Sequence, residues 1–184
     1  SEYHGELRYS APAHEDLPKF GADVVILALP TGKAAACVAA FDAAGADPLI
    51  IDLSADYRFD PTWYYGLPEL TRDKWRGEKR ISNPGCYATS VILALKPLVS
   101  AGWVDLERGI VCDSKSGVSG AGKSPTPTTH FMNAADNLSA YAVFGHRHMG
   151  EMLEQLGLKE DEIIFTPHLL PIPRGILSTV YLTF

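Results

Sequence analysis

Two aliphatic runs on either side of an alanine-rich stretch constrain the fold of this chain most strongly. The runs are "ADVVILALP" at residues 22–30 and "DPLIIDLS" at residues 47–54. Continuous aliphatic runs are typical of strands that are buried on both faces of a parallel sheet. Between them, the alanine-rich residues 31–45 predict a helix that ends at Gly45. Strand, helix and strand over about thirty residues predict a βαβ unit with a right-handed crossover.

Helix and strand signals in the next part of the chain are less regular. The aromatic segment "ADYRFDPTWYYGLPEL" at residues 55–70 is interrupted by proline and glycine, which predicts an ordered connection without regular periodicity. A helix is predicted from Tyr87 to Ala101. Gly102 stops this helix, and Pro97 either kinks it or limits its last turn.

The remaining residues predict a mixture of strands with one more helix. Residues 108–122 predict a strand that enters a glycine-serine loop, and residues 139–144 predict a strand before a helix that ends near Gly157. Two further strands are expected in residues 162–184, around a proline-rich bend. A regular βαβ pattern thus comes first and a mixed α+β pattern second, with a domain boundary near Asn83.

The composition argues against several kinds of partner. The net charge of −6 is spread along the chain without a basic block, which argues against nucleic acid or an anionic membrane and favours a small-molecule substrate. No apolar run reaches the length of a membrane span. The three cysteines, Cys37, Cys86 and Cys112, cannot all pair, and their spacing does not fit a metal site. We therefore expect no metal and a reducing, cytoplasmic setting.

Cys86 stands out among the cysteines because it follows a Pro-Gly pair in "SNPGCYAT". Pro84 and Gly85 end a strand and turn the chain, so that Cys86 begins the next helix. A thiol at a helix N-terminus faces the positive end of the helix dipole, which favours the reactive thiolate. The unpaired N–H groups there, with the Asn83 amide, could hold an oxyanion. The alternative is a small buried core residue, as expected for Cys112, and position alone leaves both open.

A thiolate nucleophile needs an acid/base partner, which is usually a histidine. Two candidates, His146 and His148, lie in "GHRH" at a predicted junction between a strand and a helix. A third, His168, lies on an apparent turn in "TPHLLPIPRG". Spacing alone allows each of the three to serve, although a surface or hydrogen-bonded structural role is the more common one for any single histidine.

Two further features could bind an anion or a cofactor. The segment "SKSGVSGAG" at residues 114–122 supplies small residues and free backbone N–H groups after a strand, which suits a phosphate or a flat cofactor ring. It matches neither the P-loop nor the G-x-G-x-x-G pattern, and an ordinary turn is the alternative. Arg58 follows a buried strand, where a guanidinium suits a phosphate or carboxylate, or else a surface salt bridge.

Five motifs together resemble one known family. The stretches "SNPGCYAT", "DLSADYRF", "KSGVSGAGK", "GHRHMGEM" and "FTPHLLPIPRGIL" are similar to those of the N-acetyl-gamma-glutamyl-phosphate reductases, over nearly the whole chain from about Asp23 onward. The aspartate-semialdehyde dehydrogenases are wider relatives, which share a cysteine in an "SNPxC" context but lack the pairing of "HRH" with "PHLxPxxRGI". The resemblance rests on the set rather than on any one motif.

The resemblance implies a fold and a reaction. It implies a partial NADP-binding Rossmann domain in residues 1–83 and a catalytic α+β domain of the semialdehyde-dehydrogenase type in residues 84–184, which also builds a homo-oligomer, either a dimer or a tetramer. Cys86 would attack an acyl phosphate and expel phosphate to leave a thioester. Hydride from NADPH would then give N-acetyl-glutamate 5-semialdehyde, an intermediate of arginine biosynthesis.

The resemblance also implies roles for particular residues. The resemblance implies that Cys86 is the nucleophile and that His146 is the general acid/base. Substrate contacts fall to four residues: Arg58, Asn83, Tyr141 and His148. Residues of two loops would contact the cofactor: Pro30, Ser116, Gly117, Ser119, Gly120 and Gly122.

The sequence departs from the family at its ends. The glycine-rich pyrophosphate turn that opens a Rossmann domain is absent, and so is the family's C-terminal segment that returns to the nucleotide domain. We therefore expect a fragment of a longer protein, without the first strand of the nucleotide domain. Three alternatives stay open: an aminoadipyl-phosphate reductase of lysine biosynthesis, a thiol hydrolase that needs no nicotinamide, and an inactive fragment.

Overall fold

The computed structural model describes residues 8–122 and 124–184, so the first seven residues of the first predicted domain and Lys123 lie outside the described residues. The chain forms two compact units that divide after Asn83. Each unit contains its own four-stranded sheet. None of the described helices is long and apolar enough to cross a membrane.

The first unit contains the predicted βαβ element. Strand β1 (Val24–Leu27) and strand β2 (Leu49–Asp52) pair in parallel, and helix α1 (Ala34–Ala43) connects them, which confirms the prediction. The N–H groups of Gly45 and Ala46 donate to the carbonyls of Asp42 and Phe41 at 3.1 and 3.0 Å. Because this bonding requires the left-handed φ of +65° at Gly45, the glycine ends the helix as predicted.

The other elements of the first unit are short. They are strand β3 (Tyr64–Tyr65), helix α2 (Pro68–Thr71) and strand β4 (Arg80–Ser82), with 3-10 turns at His14–Phe20 and Arg72–Lys74. All strand pairs are parallel, in the order β1-β2-β4-β3. The aromatic segment is ordered as predicted, since the rings of Tyr57 and Trp63 stack with centroids 3.9 Å apart.

One expectation for this sheet is wrong. β1 is not buried on both faces, because Val24 is 49% exposed and Ile26 is 61% exposed. The strand lies at the sheet edge, and the packed core of the unit contacts only the face of Val25 and Leu27. An aliphatic run of this length is as consistent with a strand that is buried on one face as with a strand that is buried on both.

The second unit contains a long helix, a mixed sheet and short connecting elements. These are α3 (Cys86–Ser100), β5 (Ile110–Gly117), α4 (Phe131–Ala134), β6 (Ser139–Ala140), α5 (Met149–Leu156), β7 (Ile163–Leu170) and β8 (Ile176–Tyr181), with 3-10 turns at Leu106–Arg108 and Val118–Ala121. The sheet order is β6-β7-β5-β8, in which only β5 and β7 run parallel. Glycines with left-handed φ follow α3 at Gly102 and α5 at Gly157, as predicted.

The two faces of the second sheet have different surroundings. One face buries Ile110, Cys112 and Phe165, and α3 and α5 supply the rest of that core through residues such as Ile92 and Met152. Register places the alternate residues on the opposite face, where four large apolar side chains are 40–63% exposed: Val111, Ile164, Leu177 and Tyr181.

Two predictions for this unit are wrong. The strand expected at residues 139–144 ends after Ala140, because Ala142 and Phe144 have positive φ values of 44° and 60° that a strand cannot contain. His168 does not lie on a turn but inside β7, where it is opposite Lys115 of β5. The prolines of the bend begin only after Leu170.

Candidate active site

Cys86 lies at the start of α3, as predicted, and the structure shows that it is exposed. Gly85 before it has an extended backbone (φ −66°, ψ 148°), and its carbonyl accepts from the N–H and the hydroxyl of Thr89 at 2.8 and 2.9 Å. These bonds close the first turn of the helix. The other two cysteines are buried, so Cys86 differs from both in its access to solvent.

The turn before Cys86 requires glycine because two side chains of the second unit pack against it. A Cβ atom on Gly85 would lie 2.4 Å from His148 Nε2 and 2.7 Å from Glu151 Oε1. The Gly85 N–H donates to Glu151 Oε2 at 2.9 Å, and both His148 and Glu151 are almost fully buried. The start of α3 is therefore positioned by the start of α5.

Sequence reasoning missed Glu151. The signal was present, because Glu151 follows His148 by three residues in "GHRHMGEM", and this spacing places both on one face of a helix. Without knowledge that this face packs on the Pro-Gly turn, a glutamate in a first helical turn is simply a common residue there.

Cys86 opens into a cavity of about 470 Å³. Six of its lining residues were candidates from the sequence: Cys86, Ser116, Gly120, Tyr141, His146 and His148. Further lining residues were not foreseen, among them the hydroxyl-bearing Thr126, Thr128 and Thr129 and the charged Arg147. The structure thus brings Cys86, the predicted nucleophile, and both "GHRH" histidines to one cavity, while His168 is not among the lining residues.

His146 is surrounded by aromatic rings. Its centroid lies 5.6 Å from that of Tyr87, 5.7 Å from that of Tyr141 and 4.6 Å from that of His148. Burial, together with the adjacent charge of Arg147, lowers the pKa of His146 to about 4, so the ring is neutral at pH 7. Its Nδ1 accepts the backbone N–H of His148 at 3.1 Å, which leaves the ring proton on Nε2.

Two tyrosines stand next to these histidines. Tyr87 follows Cys86 and is buried, and its hydroxyl donates to the carbonyl of His168 at 2.9 Å. Burial, reinforced by a hydrogen bond with Tyr141, raises the pKa of Tyr87, and burial likewise raises the pKa of Tyr141. Both phenols therefore keep their protons at neutral pH, and Tyr141 can offer a hydrogen bond inside the cavity.

His168 belongs to a separate polar cluster. Its Nδ1 lies 3.1 Å from Asp113 Oδ1, and Asp113 also pairs with Lys115. Register places these three side chains on the sheet face opposite Cys112. Of the three candidate histidines, only His146 and His148 line the cavity of Cys86, and the acid/base role of His146 stays a prediction.

The glycine-serine segment differs from the expected free loop. Residues Ser114 to Gly117 belong to β5, and the N–H groups of Gly117 and Val118 donate to the carbonyls of Gly175 and Ile172 at 3.0 and 2.9 Å. The Ser119 N–H likewise donates to the carbonyl of Pro173, at 3.1 Å. The expectation of free N–H groups is wrong for these three, because the proline-rich bend covers them.

The predicted cofactor contacts in this segment lie in three different surroundings. A Cβ atom on Gly117 would lie 2.7 Å from the backbone nitrogen of Arg174, so glycine permits close approach of two backbones there. Ser116 and Gly120 line the cavity with Cys86 and can lie beside a flat ring. The exposed Ser119 and Gly122 are not among its lining residues.

Three predicted site residues lie in the first unit. Pro30 is exposed after β1, and Asn83 is exposed after β4. Arg58 is only 8% exposed, and its guanidinium donates to the carbonyls of Asn83 and Leu53 at 3.0 and 3.3 Å. It thereby ties the carboxyl ends of β2 and β4 together. Their roles toward substrate and cofactor stay predictions.

The loop after β1 has a partner that sequence reasoning missed. The carboxylate of Asp56 accepts the backbone N–H groups of Gly32 and Ala34, the latter at 3.0 Å, at the start of α1. Among the described residues, no group of three or more His, Cys, Asp and Glu side chains could hold a metal ion.

Comparison with protein-family models gives two matches. Residues 1–77 match the model described as the NAD binding domain of semialdehyde dehydrogenase, and residues 86–184 match the model described as its dimerisation domain. Residues 78–85 lie between the two matches and include the division between the two units of the structure.

Two curated relatives resemble the chain along almost its whole length. The N-acetyl-gamma-glutamyl-phosphate reductase of Xanthomonas campestris pv. campestris (strain B100) is 51% identical over 180 residues, and the protein of that name from Stenotrophomonas maltophilia (strain R551-3) is 49% identical over 182 residues. Each comparison covers 98% of this chain and 55% of the relative, so the chain spans about half the length of these relatives.

Solved structures resemble the chain in fold. Aspartate semialdehyde dehydrogenase from Francisella tularensis has a TM-score of 0.68 at 14% sequence identity, over 90% of this chain and 59% of that chain. This likeness confirms the predicted fold class, in which a parallel sheet is followed by a second, mixed sheet.

Proposed function

The chain belongs to the semialdehyde dehydrogenase family, as its motifs predicted, and we propose that it carries the catalytic cysteine of an NADPH-dependent acyl-phosphate reductase. The reaction converts N-acetyl-glutamyl 5-phosphate into N-acetyl-glutamate 5-semialdehyde and phosphate, a step of arginine biosynthesis. One observation carries the proposal: the exposed Cys86 begins α3 in a cavity shared with His146 and Tyr141. The reductase name of relatives at 49–51% identity supports this substrate.

The chemistry starts at the Cys86 sulfur. Its thiolate attacks the acyl carbon, a carbon–sulfur bond forms, and the carbon–oxygen bond to phosphate breaks with its electron pair leaving on phosphate. The product of this half-reaction is a thioester on Cys86. An acyl phosphate is already activated, so this step needs a good nucleophile and hydrogen-bond donors, both of which the cavity supplies.

His146 and Tyr141 assist at the acyl oxygen. The neutral His146 ring holds its proton on Nε2, where it donates to the oxygen that becomes negative during attack. Tyr141, protonated at neutral pH, is a second donor and a proposed substrate contact. We assign His148 to substrate contact and to packing against the Cys86 turn, since its ring is buried beside Gly85.

The residues of this chain fit one end of NADPH. Ser116 and Gly120 line the cavity with Cys86, where the small side chains leave room for a flat ring. Pro30, Gly117, Ser119 and Gly122 remain proposed contacts at the two loops, and Arg58 and Asn83 proposed substrate contacts. When bound, NADPH supplies the hydride that reduces the thioester. The match of residues 1–77 to a NAD binding domain supports this cofactor.

We also propose that the protein is a homo-oligomer in the cytoplasm. The match of residues 86–184 to a dimerisation domain supports self-association. The second sheet offers a face for it, on which Leu177 and Tyr181 are 63% and 60% exposed. The three free cysteines suit a reducing compartment.

The test of this function separates the two half-reactions. Without NADPH, the purified chain should release roughly one equivalent of phosphate from the acyl phosphate and gain the acyl mass on Cys86. Cys86→Ser should abolish both. Continuous phosphate release without NADPH would instead indicate the thiol hydrolase, and no release would indicate an inactive fragment.

The second half-reaction is followed by the absorbance of NADPH. Substrate-dependent loss of that absorbance is expected with the N-acetyl-glutamyl phosphate. A higher kcat/KM with the aminoadipyl phosphate would overturn the arginine assignment in favour of the lysine pathway.

A further inference from the structure

The cavity around Cys86 is lined by one permanently charged side chain among the described residues. That residue is Arg147, and no aspartate or glutamate is among the lining residues. Other lining residues carry hydroxyl groups, among them Thr126, Thr128 and Thr129. A cavity with one guanidinium, several hydroxyls and no carboxylate is suited to an anion.

The guanidinium of Arg147 is available to a ligand. Arg147 is exposed, and within the described part of the chain no carboxylate forms an ion pair with it. Arg58, by contrast, is almost fully buried and donates to two backbone carbonyls. Of the two arginines, Arg147 is therefore the one that shares a cavity with the nucleophile.

The charge of Arg147 also acts on groups inside the cavity. It contributes, after burial, to the lowered pKa of His146, and it lowers the pKa of Tyr141 against the larger effect of burial. Electrostatic action on two lining side chains means that an anion bound at the same place would also feel this charge.

We propose that Arg147 binds an anionic group of the substrate, a carboxylate or a phosphoryl group, in the cavity of Cys86. The inference rests on the proposed function, because the proposed substrate carries both groups. A guanidinium can donate two parallel hydrogen bonds to either group, and the threonine hydroxyls can donate to its remaining oxygens. Arg147 would thus hold the substrate while Cys86 attacks it.

The experiment compares two alkylating reagents of similar size and different charge. Iodoacetate is an anion and iodoacetamide is neutral, and both react with the exposed Cys86, while Cys37 and Cys112 are buried. We expect Arg147→Gln to lower the ratio of the iodoacetate to the iodoacetamide rate constant about fivefold, as for a loss of roughly 1 kcal/mol of ion-pair energy. Arg147→Lys should retain most of the ratio.

The ratio makes the test specific. A variant that changes folding or the thiolate fraction alters both rate constants, and the ratio cancels that change. Arg108→Gln is the matched control, since Arg108 is exposed, pairs with Asp105 and does not line the cavity. An unchanged ratio in Arg147→Gln would overturn the proposal.

Competition distinguishes the two anions. Inorganic phosphate and N-acetyl-glutamate are each tested for protection of Cys86 from iodoacetamide. Protection by phosphate that is lost in Arg147→Gln assigns the phosphoryl group, and loss of protection by N-acetyl-glutamate alone assigns the carboxylate. Equal protection of the wild type and the variant, including none in either, refutes the anion site. Because alkylation needs no NADPH, a failed reductase assay would not affect this result.

Discussion

The three thiols of this protein show how strongly local surroundings set the chemistry of one residue type. Burial raises the pKa of Cys112 to about 12 and also raises the pKa of Cys37, so both stay protonated and inert at neutral pH. Cys86 is exposed at the start of a helix. Its neighbour Gly85 is held by a buried carboxylate, that of Glu151. The chemistry of this site is thus concentrated on one sulfur atom.

At the same scale, the lowered pKa of His146 predicts that the free energy of unfolding depends on pH. The pKa of the His146 ring is 6.5 in the unfolded chain and about 4 in the folded protein. Between these two pH values the unfolded chain binds a proton that the folded protein does not. Its contribution to the free energy of unfolding is therefore complete above about pH 6.5 and falls as the pH decreases toward 4. Urea unfolding from pH 4 to 7 should show this loss in the wild type and less of it in His146→Gln.

The comparison needs a matched histidine, since many carboxylates titrate in the same range. His14 is exposed and serves as the control, so that His14→Gln should follow the wild-type curve. If the difference in free energy of unfolding between the wild type and His146→Gln were constant from pH 4 to 7, the burial of His146 would not be the cause.

At the scale of elements, the end of β5 and the bend between β7 and β8 depend on each other. Backbone hydrogen bonds join Gly117 to Gly175 and Val118 to Ile172. The bend thereby shapes the segment that lines the Cys86 cavity at Ser116 and Gly120.

Gly117→Ala tests this dependence. A Cβ atom there would meet backbone atoms of Ile172 and Arg174 at 2.7–2.9 Å, and backbone cannot move aside as a side chain can. We expect a loss of about 1–3 kcal/mol in the free energy of unfolding, measured by urea denaturation. Gly120→Ala is the control, because its Cβ would meet only the rotatable Ser116 hydroxyl, at 2.9 Å. Equal losses in the two variants would contradict the explanation.

At the scale of the whole molecule, the second sheet leaves one face open. Val111, Ile164, Leu177 and Tyr181 form this exposed apolar face, and the polar cluster of Asp113 lies among them. Exposed apolar area of this kind is typical of protein–protein interfaces. The match to a dimerisation domain makes a second copy of the chain the proposed partner.

A charge on this face should therefore weaken self-association. Leu177→Glu places a carboxylate among the exposed apolar residues, and sedimentation velocity should show a shift toward monomer by at least tenfold in the dissociation constant, or roughly 1.4 kcal/mol. Trp103→Glu is the control, because Trp103 is similarly exposed, at 62%, but lies outside the sheet. A wild-type chain that is monomeric at micromolar concentration would refute the proposed homo-oligomer.

The sequence by itself determined the family and most of the longer helices and strands. The βαβ unit, the helix that begins at Cys86 and the glycines that end three helices follow from short-range patterns, which are read along a few consecutive residues. Only the tertiary structure decided which side chains meet. Gly85 and Glu151 are 66 positions apart, and Tyr87 and the His168 carbonyl are 81 apart. Contacts at such separations depend on how elements pack, which local periodicity does not encode, and this is why Arg147 and Glu151 emerged only from the fold.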